Sequence, residues 1–229
     1  MKYEAVIFDL FGTLVDNIDY EEYMKILRQV ASILAVLFDD FMRLWSETSR
    51  QRSLGAFTTI EDNFKYICEK MGVDHAGTQI KLATGLRNDF IAHSMEPQPD
   101  AEDVLSRLKL QGLKLGLISN CTPETPVFWE KLPFARLFDV TVFSCLAGMQ
   151  KPEPGIYELV VKQLSVKPEN CLYVGDGNGR ELSGAKDAGM QPVLIRHAGE
   201  DGTQPHLVNR EECDPRISSL SEILALLND

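Results

Sequence analysis

Residues 5–13 read Ala-Val-Ile-Phe-Asp-Leu-Phe-Gly-Thr, an apolar run that leads through an aspartate into a glycine turn. Four consecutive apolar residues predict a short strand that is buried on both faces. Asp9 then stands at the carboxyl end of this strand, and the hydroxyl of Thr13 follows four residues later. The sequence therefore predicts a carboxylate and a hydroxyl at one edge of a sheet.

The composition is that of an ordinary globular protein with an acidic surface. Of its 229 residues, 44% are apolar and 25% are charged, and the net charge is −11. This length can hold one large domain, or one domain with a smaller one inserted. Nucleic acids and anionic membranes both require a positive face, and the chain has no long basic run. We therefore expect neither as a partner, and the oligomeric state stays open.

The cysteines and the hydropathy pattern indicate a cytoplasmic protein. The five cysteines are scattered and form no Cys-x-x-Cys pair, so we expect neither a disulfide framework nor a zinc site. The chain enters its first strand within three residues and shows no cleavable apolar leader. No apolar run reaches the length of about 18 residues that a membrane helix needs.

Several later apolar runs resemble the first one, and helical patterns separate them. Continuous rather than alternating hydrophobicity, with helices between the strands, predicts an α/β fold with a parallel sheet covered on both faces. The predicted strands are residues 5–8, 113–118, 140–143, 171–174 and 192–195, and the predicted helices are 101–110, 155–164 and 181–188.

Residues 17–97 interrupt this alternation of strands and helices, because they contain no convincing strand. Thr58 and Glu61 have the spacing of a capping box, which predicts the start of a helix. We therefore divide the chain into a core, residues 1–16 and 98–229, and an inserted all-α domain, residues 17–97. One apolar face of this insert is predicted to comprise Ile26, Val30, Ile33, Leu34 and Leu37.

Polar residues follow the predicted strands at the edge where ligands bind in open parallel sheets. Asp9 ends the first strand, Ser119 and Asn120 end the second, and Asp176 ends the fourth. Lys151 follows the third strand, in front of a Pro-Glu-Pro turn. We expect these side chains to lie close together at this edge of the sheet.

This set of side chains suits the transfer of an anionic group. Two carboxylates and a backbone carbonyl make a hard oxygen site for Mg²⁺. Lys151, Thr13 and Ser119 can bind the oxygens of a phosphoryl group, and the carboxylate of Asp9 can act as the nucleophile. A cation and Lys151 would reduce the repulsion between Asp9 and an anionic substrate.

In order and spacing, the chain resembles the haloacid dehalogenase superfamily of hydrolases. The resemblance is carried by residues 9–14 (DLFGTL), by 117–120 (LISN), by 151–152 (KP), and by Gly175-Asp176 with Glu181, where the family more often has Asp. The helical insert lies between the first two motifs, where one large subgroup places its cap. The resemblance implies a Rossmann-like sheet, Mg²⁺, an aspartyl-enzyme intermediate and a mobile cap.

The resemblance also assigns roles to individual residues for a phosphatase-like hydrolase of a small phosphorylated metabolite. Glu181 and Asn178 are expected to support the metal site from behind its direct ligands. The implied catalytic residues are Asp9, Thr13, Ser119 and Lys151, the implied substrate-binding residue is Asn120, and the implied metal ligands are Asp9, the Phe11 carbonyl and Asp176.

Phe11 is the main departure from the family pattern. The family's phosphatases usually have Asp here, which protonates the leaving group and later activates water. Phe11 keeps the backbone carbonyl but supplies no acid or base, and such catalysis is worth roughly 10²–10⁴-fold. The phosphatase would then be slow, would prefer good leaving groups, or would use an acid from the cap or substrate.

Two other reactions and one non-enzymatic function remain open. A dehalogenase needs no acid, but such enzymes lack the carboxylate of Asp176 and use a cap arginine for which Arg43, Arg50 and Arg52 are out of register. A phosphonate hydrolase would use a cap lysine, and Lys151 stands where that subgroup has arginine. An impaired protein that only binds phosphorylated ligands is the third alternative. The cap lysines available for a phosphonate hydrolase are Lys25, Lys65 and Lys70.

Overall fold

The structure is a computed structural model that describes residues 2–74, 77–197 and 210–227. The strands are β1 (Ala5–Phe8), β2 (Lys114–Ser119), β3 (Val140–Phe143), β4 (Cys171–Gly175), β5 (Gln191–Ile195) and β6 (Arg216–Ile217). The helices are α1 (Tyr20–Ile33), α2 (Phe38–Glu47), α3 (Ser49–Ser53), α4 (Ile60–Lys70), α5 (Gly77–His93), α6 (Ala101–Leu110), α7 (Glu124–Trp129), α8 (Ser144–Ala147), α9 (Pro154–Leu164), α10 (Glu181–Asp187) and α11 (Ile223–Leu226).

The strands form one parallel sheet in the order β3-β2-β1-β4-β5-β6. This order confirms the predicted α/β fold, and it is that of the Rossmann type. Five strands were predicted, and β6 was missed because two residues carry no readable pattern. The chain runs outward from β1 to β3 and then returns to β4, so β1 lies at the point where the strand order reverses.

Side chains of β1 alternate between the two faces of the sheet, as strand geometry requires. Ala5 and Ile7 belong to a core cluster that also contains residues of α9 and α10. Val6 and Phe8 belong to the cluster on the other face, which includes residues of α6 and of the helices α1, α2, α4 and α5. The apolar core of the helices between β1 and α6 is thus continuous with the core on the α6 side of the sheet.

The insert is helical, as predicted, but Leu37 does not lie on the apolar helical face to which it was assigned. Within the described part of residues 17–97, no strand forms, and Pro97 makes only an isolated bridge to Val15. Ile26, Val30 and Leu34 are buried, but Leu37 lies beyond the end of α1 and is 74% exposed. The predicted face is therefore wrong at Leu37, because the helix ends before the pattern does.

The predicted capping box is wrong by one residue. Thr59, not Thr58, is the N-cap of α4, and its Oγ1 accepts a hydrogen bond from the amide of Asp62 at 3.1 Å. In return, the Asp62 carboxylate accepts a hydrogen bond of 3.0 Å from the Thr59 amide. Glu61 pairs instead with Lys65 at 2.6 Å. Asp62, three residues after the N-cap, accepts the reciprocal hydrogen bond that the sequence pattern assigned to Glu61.

All five cysteines are free thiols, in agreement with the predicted absence of a disulfide framework. Among the described helices, none combines the length and the apolar character that crossing a membrane demands.

Candidate active site

The strand order brings most of the predicted site residues to one cleft, whereas Thr13 and Ser119 are buried at the same edge of the sheet and are not among its lining residues. Asp9 directly follows β1, Ser119 ends β2, and Asp176 directly follows β4, so the three lie at the carboxyl ends of adjacent strands. The Asp9 amide donates to the Val174 carbonyl at 2.9 Å, which extends the pairing of β1 with β4 by one residue. The cleft has a volume of about 310 Å³, and its lining includes Asp9, Phe11, Asn120, Lys151, Asp176 and Glu181.

The ammonium group of Lys151 lies between two carboxylates inside the cleft. Its Nζ donates to Asp9 Oδ1, and to Glu181 Oε2 at 2.5 Å. A third contact reaches the Tyr173 hydroxyl at 3.1 Å. Burial by itself would lower the pKa of Lys151, but the charges of Asp9 and Glu181 outweigh it and raise the pKa. Lys151 is therefore a permanent cation beside Asp9.

Glu181 is held by contacts to protein groups on both of its oxygens. Oε2 accepts from Lys151 and from the Tyr173 hydroxyl at 2.8 Å, and Oε1 accepts from the Gly177 amide at 3.0 Å. The side chain is 1% exposed. These contacts make Glu181 a residue that holds Lys151 in position.

The carboxyl groups of Asp9 and Asp176 bind protons more tightly than is usual. Burial, and then the charge of Glu181, raise the pKa of Asp9 to about 6, although Lys151 opposes the shift. Burial, Glu181 and Asp9 also raise the pKa of Asp176 well above its ordinary value. Carboxylates crowded in this way destabilise one another unless a cation joins them.

The residues present fit a bound divalent metal. Oxygens of Asp9, Asp176 and Glu181 all lie within 4.8 Å of one another, and all three residues are buried. Gly12 lets the backbone come close, because its φ is +75° and a Cβ there would lie 2.7 Å from Asp176 Oδ2. A buried cluster of hard oxygen donors, in which Asp9 and Asp176 have raised pKa values, is the kind of site that Mg²⁺ occupies.

The residues present also fit an anionic substrate group. The hydroxyls of Thr13 and Ser119 are buried, and neither has a hydrogen-bond partner in the described structure. Leaving a buried hydroxyl unpaired costs about 1–3 kcal/mol. The two hydroxyls supply donors of the type that binds phosphoryl oxygens, and the Lys151 ammonium, whose three N–H groups contact Asp9, Tyr173 and Glu181, supplies positive charge.

Asn120, Phe11 and Asn178 occupy the rim of the cleft. The amide of Asn120 holds the backbone of Lys151 in two hydrogen bonds, of 2.8 and 3.0 Å, so its first role is to position that lysine. Phe11 is half-buried in the cleft wall. Asn178 is exposed, and its backbone amide donates to Asp176 Oδ1 at 2.9 Å.

Two residues of this site were missed by the sequence reasoning. The sequence analysis includes Tyr173 only as part of the buried strand 171–174. A buried tyrosine hydroxyl needs a polar partner, so its position in that strand already indicates a nearby polar group. Arg210 lies far along the chain, and its Nη2 is 2.8 Å from Asp176 Oδ2. No local pattern pointed to that ion pair.

The comparisons with known proteins agree with this geometry. A family model described as haloacid dehalogenase-like hydrolase matches residues 3–189. The glyceraldehyde 3-phosphate phosphatase of Methanopyrus kandleri is 30% identical over 210 residues, which cover 88% of each chain. The phosphoglycolate phosphatase of Salmonella typhi is 26% identical over 235 residues and covers 97% of this chain and 92% of its own.

A solved structure shares the fold. It is the HAD family enzyme bt-2542 of Bacteroides thetaiotaomicron, determined in complex with magnesium and inorganic phosphate. Its TM-score is 0.65 at 21% identity, with 88% of this chain and 98% of that chain covered. With the family model spanning most of its length, this chain belongs to the haloacid dehalogenase-like hydrolases.

Proposed function

We propose that this protein is a Mg²⁺-dependent phosphatase that acts on a small phosphorylated metabolite through an aspartyl-phosphate intermediate. One observation carries the proposal: the buried carboxylate of Asp9 and the Lys151 ammonium are paired in one cleft at the carboxyl ends of the strands. The buried hydroxyls of Thr13 and Ser119 stand on the segments that end β1 and β2, and neither has a hydrogen-bond partner in the described structure. The relatives named as phosphatases of glyceraldehyde 3-phosphate and phosphoglycolate support a substrate of that size.

Asp9 is the nucleophile in this proposal. Lys151 neutralises part of the negative charge that would otherwise repel a phosphate, and Glu181 and the Asn120 amide hold that lysine in place. Thr13 and Ser119 donate to the oxygens of the transferring group. Fixed donors that need no rearrangement during the reaction are an effective means of stabilising a transition state.

The metal would be held by Asp9, Asp176 and the backbone carbonyl of Phe11. When bound, Mg²⁺ supplies positive charge that offsets the mutual repulsion of the carboxylates and of the phosphate. The bt-2542 enzyme, which shares this fold, binds magnesium and inorganic phosphate together.

Phe11 determines which esters react readily. Its side chain cannot protonate a leaving group or deprotonate water, so esters of more acidic alcohols, enols or phenols are the favoured substrates. The second half-reaction, attack of water on the aspartyl-phosphate, is slowed for the same reason. Because Lys25 and Lys65 are exposed and paired with neighbouring glutamates, they give no support to a phosphonate hydrolase.

We further propose that residues 17–97 act as a cap that covers the site and selects the substrate. In support, Ile18 from this segment lines the cleft, and Gly55 packs so closely on the Cys145 carbonyl that a Cβ would lie 2.1 Å from it. Arg50 forms an ion pair of 2.9 Å with Glu153 in the core.

The test is an assay of phosphate esters, phosphonates and haloacids, with Mg²⁺ and with chelator. Glyceraldehyde 3-phosphate, phosphoglycolate and nitrophenyl phosphate form the ester panel. Asp9→Asn removes the nucleophile, and Asp187→Asn, an exposed carboxylate on α10, is the matched control.

Phosphate release that chelator stops, that Asp9→Asn abolishes and that Asp187→Asn retains is the expected result. Halide release without metal would overturn the proposal in favour of a dehalogenase. No turnover of any compound would favour a protein that only binds phosphorylated ligands.

A further inference from the structure

A second cavity adjoins the active cleft. Its volume is about 360 Å³, and it shares Phe11, Ile18 and Asn120 with the cleft that contains Asp9. Helices α1, α2, α3 and α5 each contribute a wall, and the chain that follows β2 closes it from the core side. A molecule with its phosphate beside Asp9 would place the rest of its atoms in this second cavity.

The second cavity carries one buried positive charge in excess. Arg87 and Arg52 both line it and are each 3% exposed. Arg87 pairs with the buried carboxylate of Glu124 at 3.2 Å. Arg52 donates only to uncharged oxygens, those of Thr48 at 2.6 Å and Asn63 at 3.0 Å, and no described carboxylate forms an ion pair with it.

The burial of the Arg52 guanidinium is only partly compensated by its neighbours. Its Nε is buried, with no hydrogen-bond partner in the described structure. The guanidinium lies 3.6 Å from the centre of the Trp45 ring, and the charge of Glu124 also favours its charged form, whereas burial opposes it. Burial lowers the pKa of Arg52 only to about 10, so the group stays charged at neutral pH.

The other walls of the cavity are mainly apolar. Its apolar lining residues include Phe11, Tyr23, Trp45 and Ile91. The Tyr23 hydroxyl accepts a hydrogen bond from the Trp45 indole at 2.7 Å, which fixes the two rings relative to each other. A mainly apolar cavity with one cationic group in excess suits an apolar molecule that bears a single negative charge.

We propose that this cavity binds the leaving group of the substrate, an apolar body whose carboxylate pairs with Arg52. The proposal rests on the phosphatase function above and names its substrate class: phosphate monoesters of apolar hydroxy acids whose hydroxyl is phenolic or enolic, which suits a site without a general acid. Hydrolysis of such an ester consumes one water and releases phosphate and the free hydroxy acid. Arg52 is then the residue that determines specificity, and Phe11 forms part of the wall between the two sites.

The first test measures binding without any phosphate, so it decides the proposal even if no ester is hydrolysed. Phenylacetate and phenylacetamide share a ring and differ in charge, and their effect on the thermal midpoint is compared. We expect phenylacetate to raise the midpoint of the wild type and of Arg43→Met, an exposed control on α2, but not that of Arg52→Met. Equal effects of acid and amide on the wild type, or no effect of either, would overturn the proposal.

The second test uses turnover, with the phenolic phosphate ester of 4-hydroxyphenylacetate and the corresponding amide as substrates, because a phenolate leaves without protonation. We expect Arg52→Met to lower the ratio of their kcat/KM values by roughly 10- to 100-fold, and Arg52→Lys to retain part of the acid preference. An unchanged ratio in a folded Arg52→Met protein would overturn the role of Arg52. If neither variant folds, the wild-type preference for acid over amide in the binding test decides the matter.

Discussion

Replacing Asp9 by Asn should stabilise the metal-free protein, although it removes the proposed nucleophile. Burial and the neighbouring carboxylate raise the pKa of Asp9 from 3.8 to about 6. The folded protein therefore holds this proton more tightly than the unfolded chain does. Stability contributed by the protonated group is present below about pH 4 and is lost as the pH rises to about 6.

The magnitude follows from the size of that pKa change. A rise from 3.8 to about 6 places a penalty of about 3 kcal/mol on the ionised folded state. For a chain of 229 residues, each kcal/mol corresponds to roughly 2–4 °C in Tm. Asp9→Asn carries no such penalty, so its Tm should exceed that of the wild type by roughly 6–12 °C at about pH 8.

Thermal unfolding in chelator, at about pH 8 and again at about pH 4.5, measures this difference. The advantage of Asp9→Asn should shrink at the lower pH, where the wild-type carboxyl is protonated. Added Mg²⁺ should raise the Tm of the wild type more than that of the variant. A variant less stable than the wild type at the higher pH, or a difference independent of pH, would refute the reasoning.

Three further substitutions test separate parts of the structure. Phe11→Asp should raise kcat for alkyl phosphates by roughly 10²–10⁴-fold and for nitrophenyl phosphate far less, because only the alkyl leaving group must be protonated. Equal gains for both classes of ester would contradict this role of residue 11. Arg87→Met should lower the free energy of unfolding in urea by about 3–5 kcal/mol, because it leaves the Glu124 carboxylate buried without its partner. Adding Glu124→Leu should restore most of that loss, and additive losses in the double variant would refute the buried ion pair. Gly12→Ala should abolish Mg²⁺-dependent turnover, because its Cβ would lie 2.6–2.8 Å from neighbouring side-chain atoms. Gly72→Ala, also at positive φ but with nothing within 4 Å, shares the backbone cost and should keep full activity.

The sequence was sufficient where a local pattern carries the structural information. The apolar run before Asp9 predicted β1, and the polar residues after four strands predicted the cleft, because parallel strands share one edge for their carboxyl ends. Local patterns were less reliable at helix ends. Thr58 and Thr59 compete for the same cap, and only the conformation of the backbone decides between them.

The second cavity could not have been predicted from the sequence. Tyr23, Trp45, Arg52 and Arg87 come from four different helices, and the helical periodicity of each says nothing about how the four pack together. Arg52 had been considered only for its register with a dehalogenase arginine. Its significance became visible through burial and the absence of a carboxylate partner in the described structure, both of which are properties of tertiary packing.

The most direct measurement asks whether Asp9 becomes phosphorylated. The wild type is mixed with nitrophenyl phosphate and Mg²⁺, quenched in acid within one turnover, digested and analysed by mass spectrometry. Because Phe11 cannot activate the water that ends the cycle, we expect one phosphoryl group to accumulate on the peptide that contains Asp9, and less of it in Phe11→Asp. Steady turnover with no phosphoryl group on that peptide, or turnover that persists in Asp9→Asn, would contradict Asp9 as the nucleophile.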